Sequence, residues 1–510
     1  MIKSGVNYFS VIKGIGNWIK NYNTPFNEAN YLKQQAVFID RYSTPQLNPN
    51  ANPIVNDLHS ITGWWLAVPK LHYYIFNYNY KKQIFQKNLD SCSKMFHKTR
   101  DILKEESEVL KEDSKVLKEE GCSFDRNLNK FTSKKCETII LVMHELSRTG
   151  APILGTELAK RIKESANVIV VSLKSGPLEA VLEKMDVPFF ILEGQDEFYA
   201  DLILEKIIDL TGASKAIVNS ICSHTMINVL ERKKISIVTL VHEFYSSACA
   251  PHIYSLIHEK SLGVIYPSEL VKTDAMEGDP DLRDDHVLVM PQGLIRAPSE
   301  KNSNDAEEAK IKEVFNTGLE SNACIIVGMG SIEPRKGVDL FISTAQSILG
   351  KLPLVPFRFI WIGHPLSDFH QADYVVYLKQ QIRRAGLSEH VFIMDPVKNL
   401  LPAYSEADIF FLSSRLDPLP LVSIEAMEYG LPLVCFEGAS GTADYLLQSD
   451  VTSSTVVPYL DIEAAANKIH DLIIDPIERK RLGSVQQEFT RTRFDMDAYT
   501  SMILSKLRGD

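Results

Sequence analysis

Short apolar segments alternate with segments of helical length from Glu137 onward. The apolar segments are nearly continuous runs of valine, isoleucine and leucine, which is typical of parallel strands buried on both faces. The polar stretch 298–309 interrupts the alternation, which then resumes. This pattern predicts two doubly wound, Rossmann-like α/β domains, at 137–297 and 320–485, that face a shared cleft. Residues 486–510 are predicted to form a C-terminal helix that packs back across the junction.

Residues 1–130 follow a different pattern and are predicted to be an N-terminal extension. The first part is rich in Asn and aromatic residues, and a seven-residue repeat from Ile102 to Glu120 predicts a charged helix with one narrow apolar stripe. Its role stays open between extending an acceptor site, binding a protein partner and touching a membrane surface. Packing of the aromatic side chains against the neighbouring domain is the simpler alternative.

Composition narrows the class of protein. The chain has 510 residues and a formal net charge of −10, which argues against a protein that binds nucleic acid by bulk charge. Its 7 cysteines include no C-x-x-C pair, so we expect a reducing, cytoplasmic location and no zinc cage. The N-terminus lacks the apolar core of a signal peptide, and polar residues interrupt the most apolar run, 61–78, so no membrane-spanning helix is expected.

One candidate site follows a predicted strand of the second domain and precedes a predicted helix. This turn contains Gly330, Ser331, Arg335 and Lys336. Glycine lets the backbone approach a ligand, and a helix N-terminus attracts phosphate. The first turn of a helix prefers anions, so two cations there indicate an anionic ligand. The alternative is an ordinary turn with two solvated cations.

A second candidate site in the same domain is a pair of carboxylates. Asp417 follows the predicted strand 408–414, and Glu425 lies eight residues later in the next predicted helix. Two carboxylates can accept hydrogen bonds from the hydroxyls of a polyol. An N-capping aspartate and a surface glutamate are the alternative. The apolar neighbours of Glu425 favour function, since an unpaired carboxylate is costly among them.

The first domain offers two weaker candidates. Gly150 lies in a turn before a predicted helix, and His242 lies at the end of the predicted strand 235–241. A structural turn and a structural histidine are the alternatives. No second histidine or cysteine stands near His242 at metal-ligand spacing. The chain also lacks the G-x-S-x-G and P-loop motifs, which argues against hydrolases and P-loop proteins. No metal or other cofactor is expected.

The order and spacing of these motifs resemble the retaining glycosyltransferase family 4, which has the GT-B fold. The resemblance covers roughly 137–510. The turn 330–337 resembles the family's Gly-Arg-x4-Lys-Gly element, with Ser331 in place of the arginine and Lys336 at the lysine. Asp417 and Glu425 resemble the family's E-x7-E element, with aspartate as the first carboxylate.

The resemblance implies roles for these residues. A nucleotide-sugar donor would place its ribose against Glu425 and its diphosphate near Lys336, Arg335 and the Gly150 loop. Asp417 and His242 would face the donor sugar. His242, Asp417 and Lys336 would then be the catalytic residues, and Gly330 and Ser331 would also line the donor site.

The activity implied is metal-independent hexosyl transfer, with retention of configuration, from a nucleotide-diphosphate sugar to a hydroxyl acceptor. The acceptor would be a glycan, a lipid-linked molecule or a protein, in glycan or polysaccharide assembly. Two alternatives remain. Ser331 and Asp417 depart from the family pattern, which allows a catalytically weak nucleotide-sugar-binding scaffold subunit of a glycan-assembly complex. A nucleotide-sugar epimerase can share the same architecture.

Overall fold

The structure is a computed structural model, and it describes residues 137–193, 197–247, 252–295, 305–318, 323–352, 355–365, 369–397 and 399–509. The predictions for residues 1–130, including the charged helix from Ile102 to Glu120, lie outside the described residues.

The first domain is built on a seven-stranded parallel sheet with the strand order β3-β2-β1-β4-β5-β6-β7. Neighbouring strands are in register over their apolar residues, as where Ile140 of the first strand pairs with Ile169 of the second. The strands are β1 (Thr138–Met143), β2 (Asn167–Ser172), β3 (Phe189–Ile191), β4 (Lys215–Asn219), β5 (Ser236–Leu240), β6 (Gly263–Tyr266) and β7 (Val287–Val289).

The second domain is built on a six-stranded parallel sheet with the strand order β10-β9-β8-β11-β12-β13. The strands are β8 (Cys324–Met329), β9 (Phe357–Ile362), β10 (Val391–Met394), β11 (Ile409–Leu412), β12 (Leu433–Phe436) and β13 (Val456–Val457). These two sheets confirm the pair of doubly wound domains that the apolar pattern predicts.

Helices connect the strands of both sheets. In the described part of the first domain they are α1 (Gly150–Ile162), α2 (Glu179–Lys184), α3 (Glu197–Thr211), α4 (Thr225–Arg232), α5 (His252–Lys260) and α6 (Glu269–Gly278). From there to the C-terminus they are α7 (Asp305–Asn316), α8 (Val338–Lys351), α9 (Phe369–Arg384), α10 (Leu401–Glu406), α11 (Leu421–Glu428), α12 (Gly441–Leu446), α13 (Asp450–Ser453), α14 (Ile462–Ile474), α15 (Pro476–Arg493) and α16 (Met496–Arg508).

Each sheet divides its core into two layers. Ile140 of β1 belongs to the apolar cluster on one face of the first sheet, and its neighbour Ile139 belongs to the cluster on the other. Ile326 and Ile325 of β8 divide between two clusters in the same way. Successive strand residues point to opposite faces, and both faces are covered, so nearly every strand residue is apolar.

The carboxyl-end loop of β11 lies against the first domain. Strand order reverses between β1 and β4 and between β8 and β11, and ligands of such sheets bind beyond the strand ends at these points. Leu416 packs against the core of the first domain. Gln292, which follows β7, donates from Nε2 to the backbone oxygen of Leu419 at 2.7 Å. Residues of both domains therefore meet beside the carboxyl edges of the sheets.

The C-terminal segment 486–510 is divided into two helices, which corrects the prediction of one helix there. Helix α15 ends at Arg493, and α16 begins at Met496. The carboxylate of Asp495 accepts hydrogen bonds from the backbone N–H groups of Asp497 at 2.8 Å and Ala498 at 3.0 Å. This side chain caps the start of a second helix, which changes the direction of the chain.

Helix α16 packs against the first sheet. Met496, Tyr499 and Ile503 belong to the same apolar cluster as Ile139 of β1. Gly293 allows this return of the chain, because a Cβ there would lie 2.1 Å from the backbone nitrogen of Met496. The last helix therefore completes the core of the first domain. No helix among the described residues is long and apolar enough to cross a membrane.

Candidate functional site

The carboxylate of Asp417 bridges two cations of the candidate site, Lys336 and Arg335. This carboxylate is buried, with 4% of the residue exposed. It accepts hydrogen bonds from Lys336 Nζ at 2.5 Å, Ser414 Oγ at 3.1 Å and Arg335 Nη1 at 3.4 Å. Burial alone would raise the pKa of Asp417, but the adjacent Lys336 and Arg335 cations lower it below its ordinary value. Asp417 is therefore ionised and paired, and the structure brings together three predicted site residues.

The turn that carries these cations is a single 3-10 turn before α8, so the cations lie outside the first turn of that helix. The turn is Pro334–Lys336, and Gly337 follows it with a φ of 68°. A Cβ on Gly337 would lie 2.0 Å from the backbone oxygen of Ser413. The first turn of α8 contains an anion, Asp339, as the helix dipole prefers.

Carboxylates partly balance the positive charge of this turn. Arg335 donates from Nη2 to Glu333 Oε1 at 2.8 Å and from Nη1 to the backbone oxygen of Leu416 at 2.9 Å. Ser331, at the family's arginine position, donates to the same Glu333 oxygen at 2.7 Å. The backbone oxygen of Gly330 accepts from the indole of Trp361 at 3.0 Å. Arg335 thus supports the turn as well as the pair with Asp417.

Arg415 connects the two loops of the site, and sequence reasoning missed it. Its guanidinium binds Asp339 through both nitrogens, at 2.9 and 2.7 Å, and donates to the backbone oxygen of Pro334 at 2.7 Å. Its own backbone N–H donates to the oxygen of Arg335 at 2.8 Å. In sequence, Arg415 and Asp339 look like two surface charges, because their pairing depends on β8 and β11 being neighbours.

Glu425 on α11 has a partner other than the cations. Its Oε2 accepts a hydrogen bond from the Tyr404 hydroxyl at 2.8 Å. Burial raises the pKa of Glu425 to about 7, and the hydrogen bond from Tyr404 partly offsets this. The Tyr404 ring stacks on Tyr429 at 5.1 Å. Tyr404 was not predicted as a site residue, since a tyrosine in a helix is ordinarily read as core.

His242 lies after β5 and contacts Asn219, another residue that the sequence did not single out. His242 Nε2 lies 2.8 Å from Asn219 Oδ1. Loss of contact with water, with a smaller contribution from His144, lowers the pKa of His242 to about 3, so the ring is neutral at physiological pH. The adjacent Glu243 carboxylate accepts from Ser220 Oγ at 2.5 Å, and burial raises its pKa.

Gly150 begins α1 in the first domain. Thr149 is the N-cap residue and makes no side-chain capping bond, while its hydroxyl lies 2.9 Å from that of Ser147. The first turn of α1 contains no acidic residue. These features fit a helix start that can accept an anion. The described residues contain no group of three or more His, Cys, Asp or Glu side chains placed to hold a metal ion.

Comparison with known proteins finds a family model and relatives that resemble the second domain. Residues 309–489 match the model of the family described as glycosyl transferases group 1. The chain is 26% identical over 187 residues to mannosylfructose-phosphate synthase of Agrobacterium fabrum, covering 36% of this chain and 39% of that protein. It is 25% identical over 184 residues to the GDP-mannose-dependent alpha-(1-6)-phosphatidylinositol monomannoside mannosyltransferase of Mycolicibacterium smegmatis, covering 34% and 44%. The chain thus spans less than half the length of these relatives.

A solved structure extends the likeness to both domains. The crystal structure of Anabaena Alr3699/HepE in complex with UDP-glucose aligns with a TM-score of 0.61 at 18% identity, covering 73% of this chain and 100% of that one. At this identity the likeness concerns the fold. Residues 309–489 are thus similar to the glycosyl transferases group 1 family, and the two sheet domains together have the GT-B fold.

Proposed function

We propose that the chain is a retaining glycosyltransferase that moves a hexose from a nucleotide-diphosphate sugar to a hydroxyl acceptor. The observation that carries the proposal is the buried Asp417 between Lys336 and Arg335, on a loop that lies against the first domain. The family of the second domain supports the same activity. Retention, metal independence and a place in glycan or polysaccharide assembly are parts of the proposal.

The cations would act on the leaving group. Departure of a nucleotide diphosphate concentrates negative charge on the phosphate oxygens, and fixed cations stabilise that charge without a metal ion. Lys336 and Arg335 would exchange part of their contact with Asp417 for the diphosphate. The N-terminus of α1 at Gly150 would add backbone N–H groups from the opposite domain.

The remaining side chains would hold the nucleoside and the sugar. Glu425 has one oxygen bonded to Tyr404, which leaves the other to accept a hydrogen bond from a ribose hydroxyl. Asp417 and His242 would accept hydrogen bonds from the hydroxyls of the donor sugar. The transition state would resemble an oxocarbenium ion. Domain closure around the donor would exclude water and limit its hydrolysis.

A panel of donors tests the proposal. UDP-glucose and GDP-mannose come first, because the structural neighbour binds UDP-glucose and one relative is named as GDP-mannose-dependent. Calorimetry measures binding, and release of nucleoside diphosphate with sugar and polyol acceptors measures transfer. We expect one donor to bind and turn over, with the product keeping the donor's anomeric configuration. Absence of binding by every nucleotide sugar would refute the proposal.

One observation favours the scaffold alternative. Lys336 already has an anionic partner in Asp417 at 2.5 Å, so a diphosphate has to compete for it. Donor binding without turnover by the isolated chain would support a catalytically weak subunit. Turnover comparable to that of ordinary transferases would exclude it. The cytoplasmic location and the membrane or protein partner of residues 1–130 stay predictions.

A further inference from the structure

The orientation of the Asn219 side-chain amide is fixed by its neighbours. Asn219 is the last residue of β4 and is fully buried. Its Nδ2 donates to the backbone oxygen of Ala151 at 2.7 Å. Because a carbonyl oxygen only accepts hydrogen bonds, the amide nitrogen has to face Ala151. The amide oxygen therefore faces the ring of His242, whose Nε2 lies 2.8 Å away.

This orientation determines where the proton lies on His242. The Asn219 oxygen only accepts, so Nε2 of the ring has to donate and carries the proton. The ring is neutral, because loss of water lowers the pKa of His242 to about 3. In a neutral imidazole the second nitrogen is an acceptor. Nδ1 is therefore the acceptor of the ring.

The packing around Asn219 holds the amide in place. A Cβ on Gly155 of α1 would lie 2.9 Å from Asn219 Nδ2, so the helix approaches the amide as closely as it can. Ser223 Oγ donates to the backbone oxygen of Asn219 at 2.9 Å and does not contact the amide through this hydrogen bond. The side-chain amide is thus packed against α1, and turning it over would replace its hydrogen bond to the Ala151 oxygen by a contact between two acceptor oxygens.

Two other titratable groups lie near the ring. The imidazole of His144, after β1, lowers the pKa of His242 and is itself held neutral by a pKa that burial lowers. The Glu243 carboxylate accepts from the backbone N–H groups of His242 and Ile221 and from the side chains of Ser220 and Cys222, so these hydrogen bonds go to groups other than the imidazole. Within the described residues, the hydrogen bond of the His242 ring is the one between Nε2 and Asn219.

We propose that Asn219 is a positioning residue that fixes the tautomer of His242, so that Nδ1 accepts a hydrogen bond from a hydroxyl of the bound sugar. The claim that a sugar binds beside Nδ1 rests on the proposed function, whereas the claim about the tautomer of His242 does not. The two parts therefore need separate measurements.

The tautomer is measured directly in the free protein. Nitrogen-15 NMR of the full chain with labelled histidine separates protonated from unprotonated ring nitrogens, and the signal lost in His242→Gln identifies the residue. We expect a protonated Nε2 and an unprotonated Nδ1 from pH 6 to pH 8. A proton on Nδ1, or a ring that titrates in this range, would overturn the proposal without any assay of activity.

The consequence for transfer is measured with two variants. Asn219→Leu removes the acceptor, and we expect kcat to fall about tenfold, the effect of one hydrogen bond, with donor Kd within about twofold. Asn219→Asp keeps the shape but adds a charge that raises the pKa of His242, so we expect its activity to be lost at low pH and regained as pH rises.

Ser223→Ala is the matched control, since it removes a buried hydrogen bond of Asn219 without touching the ring. A kcat of Asn219→Leu equal to that of the control, or a wild-type pH profile for Asn219→Asp, would contradict the positioning role. If the wild-type chain transfers no sugar, the proposed function fails, and the NMR measurement alone decides the role of Asn219.

Discussion

The two domains bring different kinds of polar group to the carboxyl edges of their sheets. The second domain presents opposite charges in contact, with Lys336 and Arg335 on Asp417. The first domain presents half-buried groups whose charged forms are disfavoured by loss of contact with water. Its His242 has a pKa of about 3, and burial raises the pKa of its Glu243. One half of the site is thus ionic, and the other, called the neutral half, centres on the uncharged ring of His242.

This difference matches the two ends of the proposed donor. A diphosphate needs cations that are fixed before it arrives, and the Asp417 and Glu333 carboxylates hold them in place. Sugar hydroxyls are neutral, and neutral acceptors such as His242 bind them without attracting other ions. Glu425 lies between these cases, because its pKa of about 7 leaves it partly protonated in the free protein.

The largest effect is expected from the ionic half. Lys336→Ala removes a fixed cation beside the proposed diphosphate, and we expect kcat to fall by about 10²–10³, as for other charge-stabilising donors. The measurement is kcat with the best donor of the panel. Lys351→Ala is the control, since Lys351 lies at the far end of α8 and pairs with Glu463. Near-wild-type activity of Lys336→Ala would show that this cation does not stabilise the charge of the leaving group.

The next effect concerns the pH dependence of stability. A carboxyl whose folded pKa is raised from 4.5 to about 7 destabilises the fold progressively as pH rises between these values. Glu425→Gln removes that cost, and the amide oxygen can still accept from Tyr404. We expect the variant to gain on the order of 2 kcal/mol relative to the wild type between pH 5 and pH 8.

Denaturant unfolding at both pH values measures this gain. Glu428→Gln, on the same helix, is the control, because Glu428 has a cationic partner, the exposed Arg491. If the free energy of unfolding depends on pH equally in Glu425→Gln and the wild type, Glu425 is not kept neutral by burial. The second domain's half of the site would then be ionic throughout.

A smaller effect is expected at the connection between the loops. Arg415→Lys keeps the charge but loses the two-nitrogen contact with Asp339 and the bond to Pro334. The turn carrying Lys336 should loosen, and we expect donor Kd to rise about tenfold, the effect of one to two hydrogen bonds. Calorimetry checks this against Arg481→Lys, a surface pair with Glu478. Unchanged affinity would show that the turn holds its shape without Arg415.

The smallest effect belongs to the neutral half. Gly155→Ala places a methyl group 2.9 Å from the Asn219 amide, and we expect a loss of about 1 kcal/mol of stability from overpacking. Gly350→Ala is the control, since a Cβ there meets nothing within 4 Å, and it should stabilise α8 by about 0.5 kcal/mol. Thermal unfolding measures both. If Gly155→Ala leaves the stability unchanged, the pocket around Asn219 is not tightly packed.

The sequence predicted the fold, but it did not predict which of the candidate site residues pair with each other. The alternation of apolar runs gave both sheets, and the unusual residues at strand ends marked Lys336, Asp417, Glu425 and His242. It did not show that Asp417 pairs with the cations, because 81 residues separate Lys336 from Asp417. Asn219, Tyr404 and Arg415 escaped notice for the same reason, since each acts through a partner that is distant in the chain.

The sequence by itself determined which residues form strands and helices, since burial on both faces of a sheet demands continuous apolar runs. It also determined the chemical types available at the strand ends. The tertiary structure alone decided which of these groups touch, and therefore which are charged. Contact with Lys336 lowers the pKa of Asp417, and isolation from water raises that of Glu425. The physical reason is that a pKa depends on distances and on solvent, and both are set by packing between segments that are far apart in the chain.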